Sequence, residues 1–452
     1  MRIRNLFLIG LPFAALTIAG IVVTSVWVYR RVSLYQRVAA TLPAELKAAR
    51  QEGVPLTPAD LKRPYPVPAA DNAAPLYLSV LDAPVPAPDD EAAARVLSSR
   101  ATEAEKTAVR TLLVRLAPQI ATLERAAALP HCDFHRNWAL GPDLLLKEYA
   151  PMRRYARILG AKAVLESEAG RPEEALRTIR VGARMGRHVG EDPILIAFLV
   201  RLAIEAIMDR AFRGVISRNA DRPDILALAR QTDVAFGPPP DLRYAMSGEV
   251  VMCRTAAEQI RQNAVGSPVT VTESASMAPR NMAGNAFEAR SISFWRRTFA
   301  ALKRGGDDPM ATLAALTAVD AQEGAAEAAP RGKERPTYEL NAILSPFFTT
   351  SPEKLAGAIA QRRLRATMIA VLEYRARNRR LPDTLLSLQP APEIDPFVRK
   401  PLHYRREGAG FVLYSVGENL KDDRGNDKPV KKGDPKPDMV VRFPDSPPTA
   451  PK

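Results

Sequence analysis

Residues 6–29 form a run of the chain without a charged side chain, with Arg2 and Arg4 ahead of it and Arg30 and Arg31 behind it. At about 1.5 Å per residue the run covers about 36 Å, which fits one modestly tilted helix across a hydrocarbon core of about 30 Å. Trp27 and Tyr29 fall where amphipathic rings sit in the headgroup region. A cleavable signal peptide is the alternative, but such signals have a core of about 7–15 residues and small residues at the cut. Val26-Trp27-Val28-Tyr29 instead leads into two arginines. The expectation is a retained anchor.

Beyond the anchor the pattern turns helical. Residues 44–52 read as a helix stopped by Gly53 and Pro55, and Thr57-Pro58 opens a short turn with a cap and a proline at the first position. Residues 63–90 are broken by prolines and read as a docked connector with a short helix near Asn72-Ala73-Ala74-Pro75-Leu76-Tyr77. A helix is expected over 103–129. Tyr155, Ile158, Ala161, Leu165 and Ala169 then share one face, and after Gly170-Arg171-Pro172 a second stripe runs through Leu176, Ile179, Ala183 and Gly186. So short a turn makes the two helices antiparallel, with Gly182, Ala183 and Gly186 permitting close approach, loosely like a tetratricopeptide hairpin. Residues 194–207 are nearly all apolar but carry Arg201 and Glu205, which predicts a buried core helix rather than a second span. Further helices are expected at 225–236, 244–262 and 353–379, and small, polar, Gly and Pro-rich stretches at 263–285 and 305–337 read as mobile loops. From residue 401 the period changes to two, predicting strands at 401–404, 410–416 and 439–443, with Phe411, Leu413 and Ser415 on one face of the second.

The fold class is therefore mainly α: an N-terminal transmembrane helix, an α-hairpin or solenoid-like body, and a small C-terminal α+β unit with a short antiparallel sheet. The expected boundaries are an anchor at 1–30, a connector at 31–100, a helical body at 101–350, a helix-plus-sheet unit at 351–443 and a frayed tail at 444–452. A net charge of +14 favours anionic partners without naming one. Aromatics make up 6% of the chain and do not interleave with the arginines, so no nucleic-acid surface is expected. Cys132 and Cys253 are the two cysteines, and their spacing does not decide whether they pair.

Tyr374, Leu381-Pro382 with Leu385 and Leu388, Asp395-Pro396-Phe397, Pro401-Leu402-His403-Tyr404, residues 411–417 (Phe-Val-Leu-Tyr-Ser-Val-Gly) and Asp438-Met439-Val440 follow one another in an order that resembles the C-terminal part of type II secretion major pseudopilins. The wider chain is similar to large membrane-anchored proteins of planctomycete-type bacteria with the same ending. The resemblance covers less than a fifth of the chain. It departs from the pseudopilins at the N-terminus, where the processing site and the acidic residue of the first helix are missing. It implies a single-pass protein of the bacterial inner membrane with an extracytoplasmic body. It also implies calcium as a cofactor at Asp422, Asp423 and Asp438, with Asp427 nearby; Lys421, Arg424, Lys428, Lys431 and Lys432 crowd the same loop and oppose a cation.

Candidate chemistry is confined to His131-Cys132-Asp133-Phe134-His135, and the chain has no Walker loop, H-E-x-x-H, G-x-S-x-G or dinucleotide fingerprint. Zinc needs three or four ligands and no second ligand group is visible; a thiol nucleophile needs a base meeting it in space. The functional expectation is a non-enzymatic, single-span envelope scaffold that binds other proteins, linked to secretion or surface assembly. The alternatives are a membrane-tethered thiol- or metal-dependent hydrolase using His131, Cys132 and His135, and a pseudopilin-like assembly subunit. His188, near the end of a helix, is expected to interact with the C-terminus of that helix rather than with a substrate.

Overall fold

The computed structural model describes residues 24–26, 29–30, 32–61, 67–82, 85–262, 279–327, 339–389, 393–428 and 437–444. The expected span at 6–29 lies outside these apart from 24–26 and 29–30, which are helical. Among the described residues no helix is long and apolar enough to cross a membrane. The chain is mainly helical with a small three-stranded antiparallel sheet near its C-terminus.

Helix α1 (Leu42–Glu52) is closed by Gly53 at φ 70°, a left-handed position that a side chain would strain. Helices α2 (Ala74–Leu81) and α3 (Ala87–Leu97) form the connector. The single helix expected over 103–129 is two, α4 (Glu103–Arg115) and α5 (Ala117–Ala128), meeting at Leu116. The cause is Pro118, which has no N–H to continue the ladder and can stand only in the first turn of a new helix.

Helices α6 (Tyr149–Glu168) and α7 (Pro172–Val189) make the expected antiparallel hairpin, and all four residues of the α7 stripe are buried. A polar joint sets its register: the Thr178 hydroxyl donates to Glu166 Oε2 at 2.8 Å, and Lys162 Nζ donates to Thr178 Oγ1 at 2.9 Å and to Glu166 Oε1. The small residues of α7 serve a different neighbour from the one expected. A Cβ at Gly182 would stand 2.1 Å from Met208 Sδ, so the close approach is to α8 (Leu195–Arg218), which packs on both arms of the hairpin. Helix α8 is the apolar segment expected at 194–207, extended by three turns and buried as expected.

Helices α9 (Pro223–Val234) and α10 (Leu242–Gln262) match their expected positions. Two helices then stand where the sequence suggests loops or carries no prediction. Helix α11 (Arg280–Gly305) buries Ile292, Phe294, Trp295 and Phe299 against α10, with Arg296 pairing to Glu45 and Glu52 of α1. Helix α12 (Pro309–Glu327) begins at Asp308, whose Oδ1 accepts the N–H groups of Met310 and Ala311. Its small residues are largely alanines, the strongest helix formers, and so carry the propensity of a helix under the composition of a loop. Residues 263–278 and 328–338 lie outside the described residues.

Helix α13 (Glu339–Asn378) leads to strands β1 (His403–Glu407), β2 (Gly410–Ser415) and β3 (Met439–Phe443), paired in the order β1-β2-β3 with His403 opposite Tyr414 and Leu413 opposite Val441. Phe411 and Leu413 enter the largest core, which runs continuously from α2 through α8 and α13 to β3. Val412 and Tyr414, on the other face of β2, are also buried, with Gly425 of the following loop lying over them.

Two buried polar groups bolt these layers together. Arg365 of α13, 2% exposed, donates from Nη1 to Asp209 of α8 at 2.9 Å and from Nε to Asp233 of α9 at 2.6 Å, with its guanidinium 3.8 Å from the Phe236 ring centroid. His188 of α7 does not act on the end of its own helix as expected: its neutral ring meets the end of a different helix, α5. Its Nε2 donates to the carbonyl of Leu129, the residue closing α5, at 3.1 Å, and its Nδ1 accepts from the Tyr77 hydroxyl of α2 at 2.8 Å. These two partners specify the Nε2–H tautomer. Burial pulls the His188 pKa down to about 4, against the smaller opposing effect of the Leu129 carbonyl.

Arg365→Ala is expected to destabilise the fold by about 3–5 kcal/mol, because Asp209 keeps its burial and loses a partner. Asp233→Asn, at a carboxylate still partly in water, is expected to cost about 1 kcal/mol; denaturant unfolding of the two variants measures both. The depressed pKa of His188 means that the unfolded chain takes up the proton first. Its contribution is therefore complete above about pH 6.5 and is lost as pH falls through about 4. A thermal melt series from pH 7.5 to pH 4 is expected to show this decline, and His188→Gln to flatten it.

Candidate functional site

The first cluster of chemistry-bearing residues suggested by sequence, 131–135, follows α5 and is held by Asn72. The Asn72 side chain accepts the N–H groups of Ala74 (3.1 Å) and Asp133 (2.8 Å) and donates to the Asp133 carbonyl at 2.9 Å. Backbone bonds Ala73 N–H to His131 O and His131 N–H to Asp71 O complete the clamp. The segment around Asn72, expected as a docked connector with a short helix, thus positions the cluster.

The clamp points the three candidates in different directions. Cys132 is fully buried in the main core, with its N–H donating to Glu191 Oε2 at 3.1 Å. His131 is half-exposed beside Glu191, Nδ1 to Oε2 3.7 Å. His135 sits at φ 51° and turns outward with 74% of its side chain exposed, its Nδ1 3.6 Å from Asp133 Oδ2. Cys132 and Cys253 are both buried and are not joined in a disulfide. Burial raises the Cys253 thiol to about 12, despite a hydrogen bond with Trp295 that favours the thiolate.

His135 and Asp133 instead open onto a cleft of about 530 Å³ between the 58–61 turn and the start of α8. Its floor is a group that sequence reasoning missed. Arg136, nearly buried, donates to Asp192 Oδ2 from Nη2 at 2.7 Å and pairs with Glu148; Tyr149 donates to the same Asp192 oxygen at 2.6 Å. The guanidinium lies 4.7 Å from the Phe134 ring centroid and 5.3 Å from that of Tyr149. Burial would lower the Arg136 pKa; Asp192, Tyr149 and Glu148 outweigh it, so the cation is held firmly. Burial, then Asp192, pushes the Tyr149 phenol well above its ordinary value. One guanidinium is shared by two carboxylates and a phenol, which ties the floor together, and the groups come from positions 134, 136, 148, 149 and 192, too dispersed for any spacing rule to collect. The sole sequence hint was an acidic pair, Glu191-Asp192, in the turn before an apolar helix.

The second set of sequence candidates lies after β2. Asp438, nearly buried, accepts the N–H of Gly425 at 2.6 Å and that of Asp423 at 3.2 Å. Asp422 Oδ1 accepts the Tyr414 hydroxyl at 3.1 Å and the Arg424 N–H at 2.8 Å, and Asp423 Oδ2 accepts from Asn419 at 2.6 Å. The three carboxylates are thus neighbours, but each faces protein donors. Asp427 pairs with Arg442 at 3.3 Å, and Lys431 and Lys432 lie outside the described residues. Among the described residues no three or more His, Cys, Asp or Glu side chains are grouped to hold a metal ion. Nearby, Asp395 accepts the Ser415 hydroxyl and the Val416 and Phe397 N–H groups, so two motif pieces that are distant in sequence meet in one buried latch.

Calcium at millimolar concentration is expected to leave the melting temperature of the purified chain unchanged, because the three carboxylates already accept hydrogen bonds that a cation would have to displace. A rise of several degrees that disappears with Asp423→Ala would overturn this, since a ligand of the folded state stabilises it by RT ln(1 + [L]/Kd).

Compared with known proteins, the chain matches no family model, no curated protein and no solved structure.

Proposed function

We propose that the protein is a non-enzymatic scaffold of the bacterial envelope, anchored in the inner membrane through residues 6–29 with its body outside the cytoplasm, and that its helical body binds other proteins, with a place in secretion or surface assembly. The observation that carries this reading is the two-sided character of α7. One face is sealed into the core through Leu176, Ile179, Ala183 and Gly186, while Arg177 and Arg184 are exposed on the other. A folded surface that holds so many cations in water at the edge of a cleft is suited to recognition.

The directions of His131, Cys132 and His135 support binding over hydrolysis, since a nucleophile and its base need hydrogen-bond reach of one another. The Asp395 latch supports the likeness of the C-terminal part to pseudopilins, because it gives a physical reason for the motif pieces to occur together. The likeness does not make that part a detachable module: Leu364, Met368, Val371 and Leu372 of α13 belong to the same core as α6–α8. Tests must therefore use the full chain.

In native membranes, cross-linking of the full chain is expected to trap a second protein against the α5–α7 face. Turnover of an ester, peptide or glycoside substrate that is lost on His135→Ala would overturn the scaffold reading. Alkaline phosphatase fused after Lys452 is expected to be active, and fluorescence from a reporter that matures only in the cytosol would place the body on the other side.

A further inference from the structure

A second cleft, of about 330 Å³, lies between α5 and α7. Its apolar floor is Ala127 and Val181, and its rim is Arg177, Arg180 and Arg184 of α7 with Glu124 of α5 opposite them. Some surface arginines are paired, Arg171 with Glu174, Arg222 with Glu173 and Asp224, and Arg230 with Glu373, while others such as Arg100, Arg110 and Arg377 make no ion pair among the described residues; what distinguishes the cleft is that three arginines stand together there. None of the three cleft arginines makes an ion pair among the described residues, and neither does Glu124. Arg180, half-buried between the other two, has its pKa lowered by burial and then by the charges of Arg184 and Arg177. The unliganded protein therefore carries uncompensated like-charge repulsion here, which an anion would relieve.

The spacing of the three side chains selects among anions. Arg177 to Arg184 is seven residues, about 10 Å along the helix axis. A compact anion such as phosphate is gripped by donors that converge on one point, whereas these donors are staggered along a line with an apolar strip beneath. An extended peptide repeats its side chains on one face about every 6.8 Å, so three acidic residues at alternate positions span about 13.6 Å, and the long arginine side chains splay by about 1.5 Å at each end of the row of about 10 Å to meet them. We propose that this cleft binds an extended, acidic segment of a partner protein, with carboxylates on Arg177, Arg180 and Arg184 and an apolar contact on Ala127 and Val181. This rests on the scaffold reading above and names the chemistry of its partner. Glu124 opposes the same ligand and limits its affinity.

The probe is a labelled peptide of alternating glutamate and valine, titrated by anisotropy into the full chain in detergent. Its control is a peptide with lysine in place of glutamate, which is expected not to bind. The triple variant Arg177→Gln/Arg180→Gln/Arg184→Gln is expected to weaken the acidic peptide by about tenfold or more, as three partly exposed charge pairs would. Because Arg180 is half-buried, Arg177→Gln/Arg184→Gln at two exposed positions provides a variant that leaves the core untouched, with an expected loss of about fivefold. Glu124→Gln is expected to tighten binding about two- to threefold, a change that a purely structural role would not produce. Affinity unchanged in both arginine variants would overturn the proposal. So would full competition by inorganic phosphate at the peptide's own concentration, or by anionic lipid vesicles. In membranes, a cross-linked partner that persists undiminished in the triple variant refutes this site while leaving the scaffold reading intact; the absence of any cross-linked protein refutes the scaffold reading itself.

Discussion

Arg365 must be ionised and it must be buried, and the arrangement of the carboxyl half follows from meeting both demands at once. A guanidinium in the interior is tolerated only where carboxylates and hydrogen-bond acceptors surround it, and truncating such a pair leaves a stranded charge. Asp209 of α8 and Asp233 of α9 supply the acceptors, and Phe236, with Phe212 at 5.8 Å, supplies faces for the planar cation. Helix α13 can therefore dock on α8 and α9 in one register, and β2 and β3 inherit that register because they pack directly on α13. Arg362, one turn away, reaches Glu205 of α8 and the carbonyl of Phe236, so the ionic seam continues along the helix.

A similar economy governs the N-terminal side. Tyr77, His188 and the carbonyl of Leu129 join α2, α7 and the end of α5 through one neutral imidazole, and Asn72 joins the same connector to the 131–135 segment. The connector is thus a structural part of the body rather than a tether. By fixing Asn72 and Tyr77, it decides that Cys132 faces the core and His135 faces solvent. The surface left open by this arrangement is charged and cleft-bearing, which is the physical basis for reading the body as a platform for partners.

The contrast between the two clefts sharpens that reading. Around Arg136 one guanidinium is shared by Asp192 and Glu148, which ties the floor together. Around Arg180 they are left to repel. Three arginines of α7 that stand together at one cleft without an ion pair among the described residues make a favourable place for negative charge. The favourable term is realised only when something arrives there.

The sequence by itself determined α6 and α7, whose apolar stripes have a clear 3.6-residue period that each must bury, and α8, whose apolar run is too short and too charged for a span. It determined the period-two strands, and it marked Gly53 and Gly170 as stops. It did not determine α11, most of which carried no expectation and whose Trp295 and Phe299 find a core assembled from α1, α8 and α10, or α12, whose alanines and glycines look like a loop. The small residues of α7 could be seen to allow a close approach, but only packing decided that Met208 of α8 would fill it. Tertiary structure alone decided the directions of His131, Cys132 and His135, and it alone collected Arg136, Glu148, Tyr149 and Asp192, because side-chain direction and long-range pairing follow from how layers dock. The arginine row lay in the sequence as three residues at steps of three and four. What the fold added was the opposing helix α5 and its apolar strip, which turn a charged helix face into a cleft.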